Sequence, residues 1–352
     1  MSELRKDYFT NRLALVSTRK ERLAKPKTDN AVKTLENKTF TDCDFCPGNE
    51  EKTSPADMVL VKKEGALIKL SDEEGEPVHH WAVRVFPSNN PAVSTDPSPA
   101  YSDRPLYSEP AYGHHYIVVA TPNHLESFAE MSPEQLASVL TVVQDKVRWL
   151  YGRKKVSYVA VFIDAPEDSS KTNTHPHLQI LTLPRLPPII EQEALAVQKS
   201  MYDLGICPMC TVVNVETGGP RQILSTDHFI AIAPWAPSHV YEFWIFPKQH
   251  QTSFLKATQR EIADLSKILR CTLGGMAKAL DDPEFNLVFH ISSEKKTTRQ
   301  VHWHIEVYPK KSRWGGIERG MGVFINPISP EQVAEELGEY SRREFAHMIG
   351  VK

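Results

Sequence analysis

The sequence predicts an α+β protein of duplicated design, with two antiparallel sheets flanked by helices. Three observations carry this reading: two His-x-His-x-(Gln/Glu) segments, two Cys-x-x-Cys pairs and two capped amphipathic helices, in the same order at nearly the same spacing. The first His segment is Thr174-His175-Pro176-His177-Leu178-Gln179; its echo is Val301-His302-Trp303-His304-Ile305-Glu306. On a strand, residues i, i+2 and i+4 share a face. His175, His177 and Gln179 are therefore expected to line one side, with Leu178 and Ile180 behind. Two imidazoles and an amide held side by side suit a metal, a phosphoryl group, or both.

Along the chain, Cys43-Asp44-Phe45-Cys46 runs into the turn residues Pro47-Gly48-Asn49, as a metal knuckle does. A strand over Tyr116–Thr121 then leads to Pro122-Asn123-His124. Ser132-Pro133-Glu134-Gln135 reads as a capping box with Pro in the first turn. It opens a helix whose Leu136, Val139, Leu140, Val143 and Val147 share one face. A β-rich run, Val159–Phe162, precedes the first His segment. The second half repeats the series with Cys207-Pro208-Met209-Cys210, a strand over Glu242–Phe246 leading to His250, and a cap at Thr258-Gln259-Arg260-Glu261. A helix on Ile262, Leu265, Ile268 and Leu269 follows, then a strand at Leu287–Phe289. Phe162 stands 13 positions before His175, and Phe289 stands 13 before His302. The interval from His124 to His175 is 51 residues, and that from His250 to His302 is 52. Order, residue type and spacing together indicate duplication. The stretch 94–113, rich in Pro, Ser, Asp and Tyr, reads as a surface loop in the first half only. Leu183-Pro184-Arg185-Leu186-Pro187-Pro188 breaks any strand, so the halves are taken as 1–188 and 189–352. A third capped helix is expected from Ser329-Pro330-Glu331-Gln332 to about Met348.

The 352 residues suffice for two domains, and 41% apolar with 24% charged residues is ordinary for a globular protein. A formal charge of −3 makes no electrostatic case for nucleic acid or a membrane as partner. The N-terminal residues are charged and show no signal-peptide core, so a reducing, cytoplasmic setting is expected. There, four of the five cysteines arranged as Cys-x-x-Cys read as metal or redox sites rather than disulfides. Each half offers a Cys₂His₂ set: Cys43, Cys46, His124 and His175; Cys207, Cys210, His250 and His302. Zinc prefers such a set, so one Zn²⁺ is expected in each. With His175 assigned to metal, His177 is left as a nucleophile, since neutral imidazole attacks well near pH 7. Gln179 is placed to donate to a phosphoryl oxygen and stabilise charge developing there. Glu306 replaces that amide in the echo and repels phosphate, so His304 is expected to be structural or substrate-facing.

These residues resemble the galactose-1-phosphate uridylyltransferase branch of the histidine-triad superfamily. The matching segments include Leu4–Thr10, Cys43–Glu50, Arg84–Pro87, Thr121–His124, His175–Gln179, His302–Glu306, and Gly316-Ile317-Glu318 running to Ile325-Asn326-Pro327. The resemblance implies a duplicated histidine-triad-like fold and a double displacement in which His177 attacks the α-phosphorus of a nucleoside-diphosphate sugar. It implies a zinc knuckle at Cys43, Cys46, His124 and His175, and a sugar contact at Glu318. Phosphate-binding arginines fall on Arg19 and Arg22, nucleoside contacts on Asn89 and Asn90, and a phosphate loop on Lys171, Thr172 and Asn173. It also implies a homodimer. The leading expectation is UDP-glucose:hexose-1-phosphate uridylyltransferase, with a sugar 1-phosphate as acceptor. The alternative enzyme is an ADP-sugar or dinucleotide phosphorylase, with phosphate as acceptor. The alternative from another class is a zinc-stabilised binding protein without catalysis.

Overall fold

A computed structural model of the chain describes residues 2–17, 43–73, 76–97, 99, 103, 105–164, 175–295, 298 and 300–351. Its strands are β1 (Ser2–Lys6), β2 (Leu13–Ser17), β3 (Met58–Lys63), β4 (Ala66–Leu70), β5 (Trp81–Pro87), β6 (His115–Val119), β7 (Tyr158–Ile163), β8 (His177–Leu183), β9 (Gln222–Ser225), β10 (Phe229–Ile232), β11 (Phe243–Pro247), β12 (Phe285–His290), β13 (His304–Pro309) and β14 (Val323–Asn326). Eleven of them form one sheet in the order β4-β3-β5-β6-β8-β7-β12-β13-β11-β10-β9. The two sheets expected from the sequence are joined edge to edge, and the α+β class stands. Backbone groups of β7 and β12 would otherwise face water as open edges; here they pair antiparallel, with Val161 opposite Phe289 and Phe162 opposite Val288.

That register carries the duplication. His175 and His302 are 127 positions apart, as are Phe162 and Phe289. Under this equivalence the pair Val161–Phe289 maps onto Val288–Phe162, its neighbour in the ladder. The repeats meet about a local two-fold axis, in the manner of an isologous dimer interface written into one chain.

Strand alternation sorts side chains into cores on both faces. In β10, Phe229 and Ala231 join the larger core, whereas Ile230 and Ile232 join another. In β6, Tyr116 and Val118 go to the first face, and Ile117 and Val119 to the opposite one. Over the first face pack α1 (Pro133–Tyr151), α4 (Gln259–Leu280) and α6 (Pro330–Met348), whose apolar positions recur with helical period. Over the second lie α2 (Pro188–Leu204) and α3 (Pro208–Glu216). A short α5 (Gly316–Met321) precedes β14. Among the described residues, no helix is long and apolar enough to cross a membrane.

Caps fall where expected, with one difference. Thr258 and Glu261 form the full reciprocal box at α4, as do Ser329 and Gln332 at α6. At α1, Ser132 accepts from the Gln135 amide, but the Gln135 side chain donates instead to the carbonyls of Ala82 (2.8 Å) and Ala120 (2.6 Å). The side chain that would close the box instead ties the helix to the sheet. Helix α2 was not anticipated: the Pro-rich segment read as a break supplies Pro188 at its first turn, where the missing N–H costs nothing.

The N-terminal segment folds onto the second repeat. β2 pairs antiparallel with β1 and parallel with β14. Phe9 stacks on Trp244 at 6.3 Å, and the Tyr8 hydroxyl donates to Glu216 at 2.7 Å. Arg12 pairs with Asp7 at 2.9 Å.

Close approach of α4 and α6 depends on Gly275, where an added Cβ would lie 2.7 Å from the Ser341 backbone nitrogen. Gly275→Ala gains about 1 kcal/mol of helix propensity but overpacks against backbone, at about 1–3 kcal/mol. Its urea unfolding midpoint is expected to fall. A higher midpoint would show that the helices part without cost.

Candidate functional site

Cys43 and Cys46 sit in a tight turn. The Cys46 amide donates to the Cys43 carbonyl, the Asn49 side-chain amide donates to the same carbonyl at 2.8 Å, and Gly48 takes φ +90. Behind the turn, the buried Glu50 carboxylate accepts from Trp81 Nε1 at 2.9 Å and from the Gly48 amide at 3.0 Å. These bonds hold its pKa below the ordinary value although burial acts to raise it. The turn therefore aims two thiols at His124 and His175.

The ligand atoms of Cys43, Cys46, His124 and His175 lie within 4.8 Å of one another, as do those of Cys207, Cys210, His250 and His302. A tetrahedral ion bound at about 2.3 Å to sulfur and 2.0–2.1 Å to nitrogen has sulfur–nitrogen edges of about 3.6 Å. Cys46 Sγ is 3.3 Å from His124 Nδ1 and 3.6 Å from His175 Nδ1; Cys43 Sγ is 3.8 Å from His175 Nδ1. Cys210 Sγ is 3.2 Å from His250 Nδ1 and 3.5 Å from His302 Nδ1. Electrostatics point the same way. Burial lowers His175 to about 4 and His302 to about 3, so both rings are neutral at pH 7 with a lone pair to give. His175 Nε2 lies 2.6 Å from the Thr121 carbonyl and donates to it, which commits Nδ1 to the thiols. Burial and the neighbouring cysteine push the Cys46 and Cys210 thiols up to about 12, so only a cation would draw off their protons. Both Cys₂His₂ groups are thus able to hold a metal ion. They are built differently, because Cys207 and Cys210 sit at the N-terminus of α3 rather than in a free turn.

His177 opens β8, between β6 and β7. Its Nδ1 lies 2.8 Å from the His175 carbonyl, which can only accept, so Nδ1 carries the proton and Nε2 the lone pair. Among the described residues nothing hydrogen-bonds Nε2. Burial lowers the ring's pKa, keeping it neutral, and Phe45 meets it edge-on with centroids 5.2 Å apart. Gln179 follows on the same face, its amide between His115 Nε2 (2.8 Å) and Asp164 Oδ2 (3.1 Å). Asp164, whose charge also acts on His177, was not anticipated from the sequence.

Other expected residues are placed less directly. Asn89 Oδ1 accepts from the Ser54 amide and hydroxyl, and its Nδ2 donates to the Lys52 carbonyl, so it braces the loop after the first knuckle. Asn90 is exposed, and its amide donates to Ser88. Glu318 Oε2 accepts from the Gly315 amide at 2.8 Å and Oε1 from the Ile325 amide at 3.4 Å; it closes the turn around α5, and no contact joins it to His177. Arg19, Arg22, Lys171, Thr172 and Asn173 lie outside the described residues.

The echo strand departs from its twin. His304 is fully buried and so is not substrate-facing; its Nδ1 lies 3.1 Å from the His302 carbonyl, but Nε2 meets Glu306 at 3.3 Å. Glu193 from α2 and His290 complete a buried cluster of four with ligand atoms within 4.8 Å of one another. His290 Nδ1 is 2.9 Å from Glu193, and its Nε2 is 3.6 Å from Glu306. Burial opposes a charge on His290, but the two carboxylates outweigh it and raise its pKa to about 9. A protonated His290 offsets one of the two carboxylates, and Arg12, whose charge acts on Glu193 and Glu306, offsets the other. Sequence reasoning missed this group because Glu193 lies on the unanticipated helix. The repeat equivalent of His290 is the apolar Ile163, so the first half gave no hint.

The family model described as "Domain of unknown function (DUF4921)" matches residues 112–344. An ADP-glucose phosphorylase of Arabidopsis thaliana is 28% identical over 351 residues, covering 96% of this chain and 93% of its own. A galactose-1-phosphate uridylyltransferase of Thermotoga maritima is 29% identical over 266 residues, covering 72% of this chain and 83% of its own. The crystal structure of the Arabidopsis thaliana ADP-glucose phosphorylase with bound ADP-glucose superimposes with a TM-score of 0.76 at 25% identity, over 96% of this chain and 99% of that one.

Two measurements test the clusters. Elemental analysis of purified Cys46→Ser and Cys210→Ser is expected to show about one metal equivalent fewer than wild type in each; unchanged content in either would remove that site. For His290, a pKa raised from 6.5 to about 9 means its stabilisation is fully present below 6.5 and lost as pH rises through 9. The unfolding free energy is expected to drop across that window, by on the order of 3 kcal/mol at most. His290→Gln should flatten this limb.

Proposed function

The chain belongs to the DUF4921 family, among the galactose-1-phosphate uridylyltransferase-like proteins, and from that premise we propose that it transfers nucleotides through a covalent intermediate on His177. The observation that carries the proposal is the free lone pair at His177 Nε2, set by the bond from Nδ1 to the His175 carbonyl. That lone pair attacks the α-phosphorus of a nucleoside-diphosphate sugar. The bond from this phosphorus to the bridging oxygen breaks, and the sugar 1-phosphate leaves with the electron pair. A nucleotidyl-histidine remains. In the second half-reaction a phosphate oxygen of the acceptor attacks the same phosphorus, the P–N bond breaks, and neutral His177 is restored. Gln179 meets the charge on the phosphoryl oxygens with an N–H. Within this reading Asn89 and Asn90 contact the nucleoside, Glu318 the sugar, and Arg19, Arg22, Lys171, Thr172 and Asn173 the phosphates.

Zinc in both Cys₂His₂ clusters belongs to the proposal, supported by donor chemistry and spacing. Its part is to hold the knuckles and the roots of β8 and β13 in place. The reading assigns catalysis to residues 1–188 and a supporting half to 189–352. It includes a homodimer in a reducing cytoplasm.

Two acceptors suit the chemistry: a hexose 1-phosphate, giving uridylyl exchange, and inorganic phosphate, giving phosphorolysis of an ADP-sugar. The near-complete coverage shared with the ADP-glucose phosphorylase favours the second. A Cys₂His₂ cluster in each half fits a plain binding platform too, but such a platform needs His175 and has no use for a free His177.

Mass spectrometry after mixing the protein with ADP-glucose or UDP-glucose is expected to show a gain of one nucleotide. His177→Ala should abolish the adduct while metal content and thermal unfolding stay as in wild type. Turnover of ADP-glucose with phosphate, against UDP-glucose with galactose 1-phosphate, then identifies the acceptor. An adduct on His177→Ala would refute the nucleophile assignment.

A further inference from the structure

We infer that His115 is a positioning residue for the transfer, fixing which end of the Gln179 amide faces the phosphoryl group. The inference rests on the proposed roles of His177 and Gln179. It follows from which atoms are able to donate. The Ala92 backbone N–H, which can only donate, lies 3.2 Å from His115 Nδ1. Nδ1 is therefore the acceptor, and the neutral ring carries its proton on Nε2. That N–H lies 2.8 Å from the Gln179 amide, and the atom it meets must be the carbonyl oxygen. The amide nitrogen is thereby turned to Asp164, 3.1 Å away on the far side. A carboxylate accepts, so the two ends agree.

The orientation matters because the two ends of an amide act oppositely on an anion. Gln179 Nε2 has two hydrogens, and Asp164 takes one. The other has no partner among the described residues, and Gln179 shares the His177 face of β8. A flipped amide would turn oxygen lone pairs toward the phosphoryl oxygens, replacing attraction by repulsion. Without the His115 donor, only the bond to Asp164 opposes the flip. His115 also reaches the loop that carries Asn89 and Asn90: its carbonyl accepts from Ser88, as its ring does from Ala92. The Ser88 bond is made by the backbone and seats the loop whatever side chain stands at this position, whereas the Ala92 bond serves to fix the ring. In the second half Glu306 stands where Gln179 does, and a carboxylate has no end to orient.

The test is a double-mutant cycle on the full-length protein, reading the rate of nucleotide adduct formation with ADP-glucose and with UDP-glucose. Gln179→Ala is expected to slow the step by about 10²–10³, and His115→Ala by roughly tenfold. Nucleotide-sugar affinity should stay within about twofold for His115→Ala, so that the loss falls on the rate constant and not on binding. The double variant is expected to be no slower than Gln179→Ala alone, because His115 acts only through that amide. His115→Gln, whose amide nitrogen reaches the position of the imidazole Nε2 and can donate to the Gln179 carbonyl, should recover part of the rate. Independent effects in the cycle, or a His115→Ala rate equal to wild type, would overturn the inference while leaving the role of His177 in place. Wild-type protein that forms no adduct with either sugar nucleotide would remove both. Nitrogen-15 NMR of His115 gives a readout apart from activity: the Nε2–H tautomer is expected, and the Nδ1–H tautomer would refute the argument outright.

Discussion

Much of the site turns on the backbone at His175. Its side chain is held by the Thr121 carbonyl so that Nδ1 meets the thiols, and its own carbonyl takes the proton-bearing nitrogen of His177. One residue thus sets the direction of a metal-type donor and of a nucleophile-type donor two positions on. Neither orientation needs an extra ordered side chain, which spares conformational entropy. The price is rigidity: neither ring can turn without breaking a hydrogen bond. Pro176, between them, provides its carbonyl to Ala120 and asks for no partner for a missing N–H.

The two halves show how one residue changes what such a strand can do. His304 copies the bond to the preceding carbonyl, yet its outer nitrogen is taken by Glu306, and the surrounding space by His290 and Glu193. Three charged or chargeable groups fill the place that in the first half is lined by Phe45, Asp164 and Gln179. Burial would penalise that charge heavily were it not offset by protonated His290 and by the neighbouring Arg12. The second strand is therefore a stable internal ion network with the outline of an open site.

The sequence carried much of this and missed what depends on distant segments. Spacing and capping signals located both His strands, both Cys pairs and three capped helices, because each rests on local chemistry. It could not show that two sheets close into one, since the alternation of Val159–Phe162 is the same whether β7 is an edge or an interior strand. Helix α2 was hidden because Pro187-Pro188 reads as a break and serves as a start. With it went Glu193, and so the buried charge cluster. His115 and Asp164 were passed over for a similar reason. A single His in a strand and a single Asp after one have no pattern, and their meaning comes only from the amide between them.

The seam between β7 and β12 has a further consequence. A lone repeat would expose β7 as a sheet edge and would need a second copy to cover it, at a concentration the cell would have to supply. Joined by the short segment 184–187, the repeats meet at the effective concentration of a tether, which does not fall on dilution. What remains open is guarded at both ends. Arg342 of α6 donates to the Ile223 carbonyl of β9, and the exposed β4 hairpin carries Lys62, Lys63 and Lys69, charges that discourage strand addition. The sheet that holds β8 is thus complete in a single polypeptide.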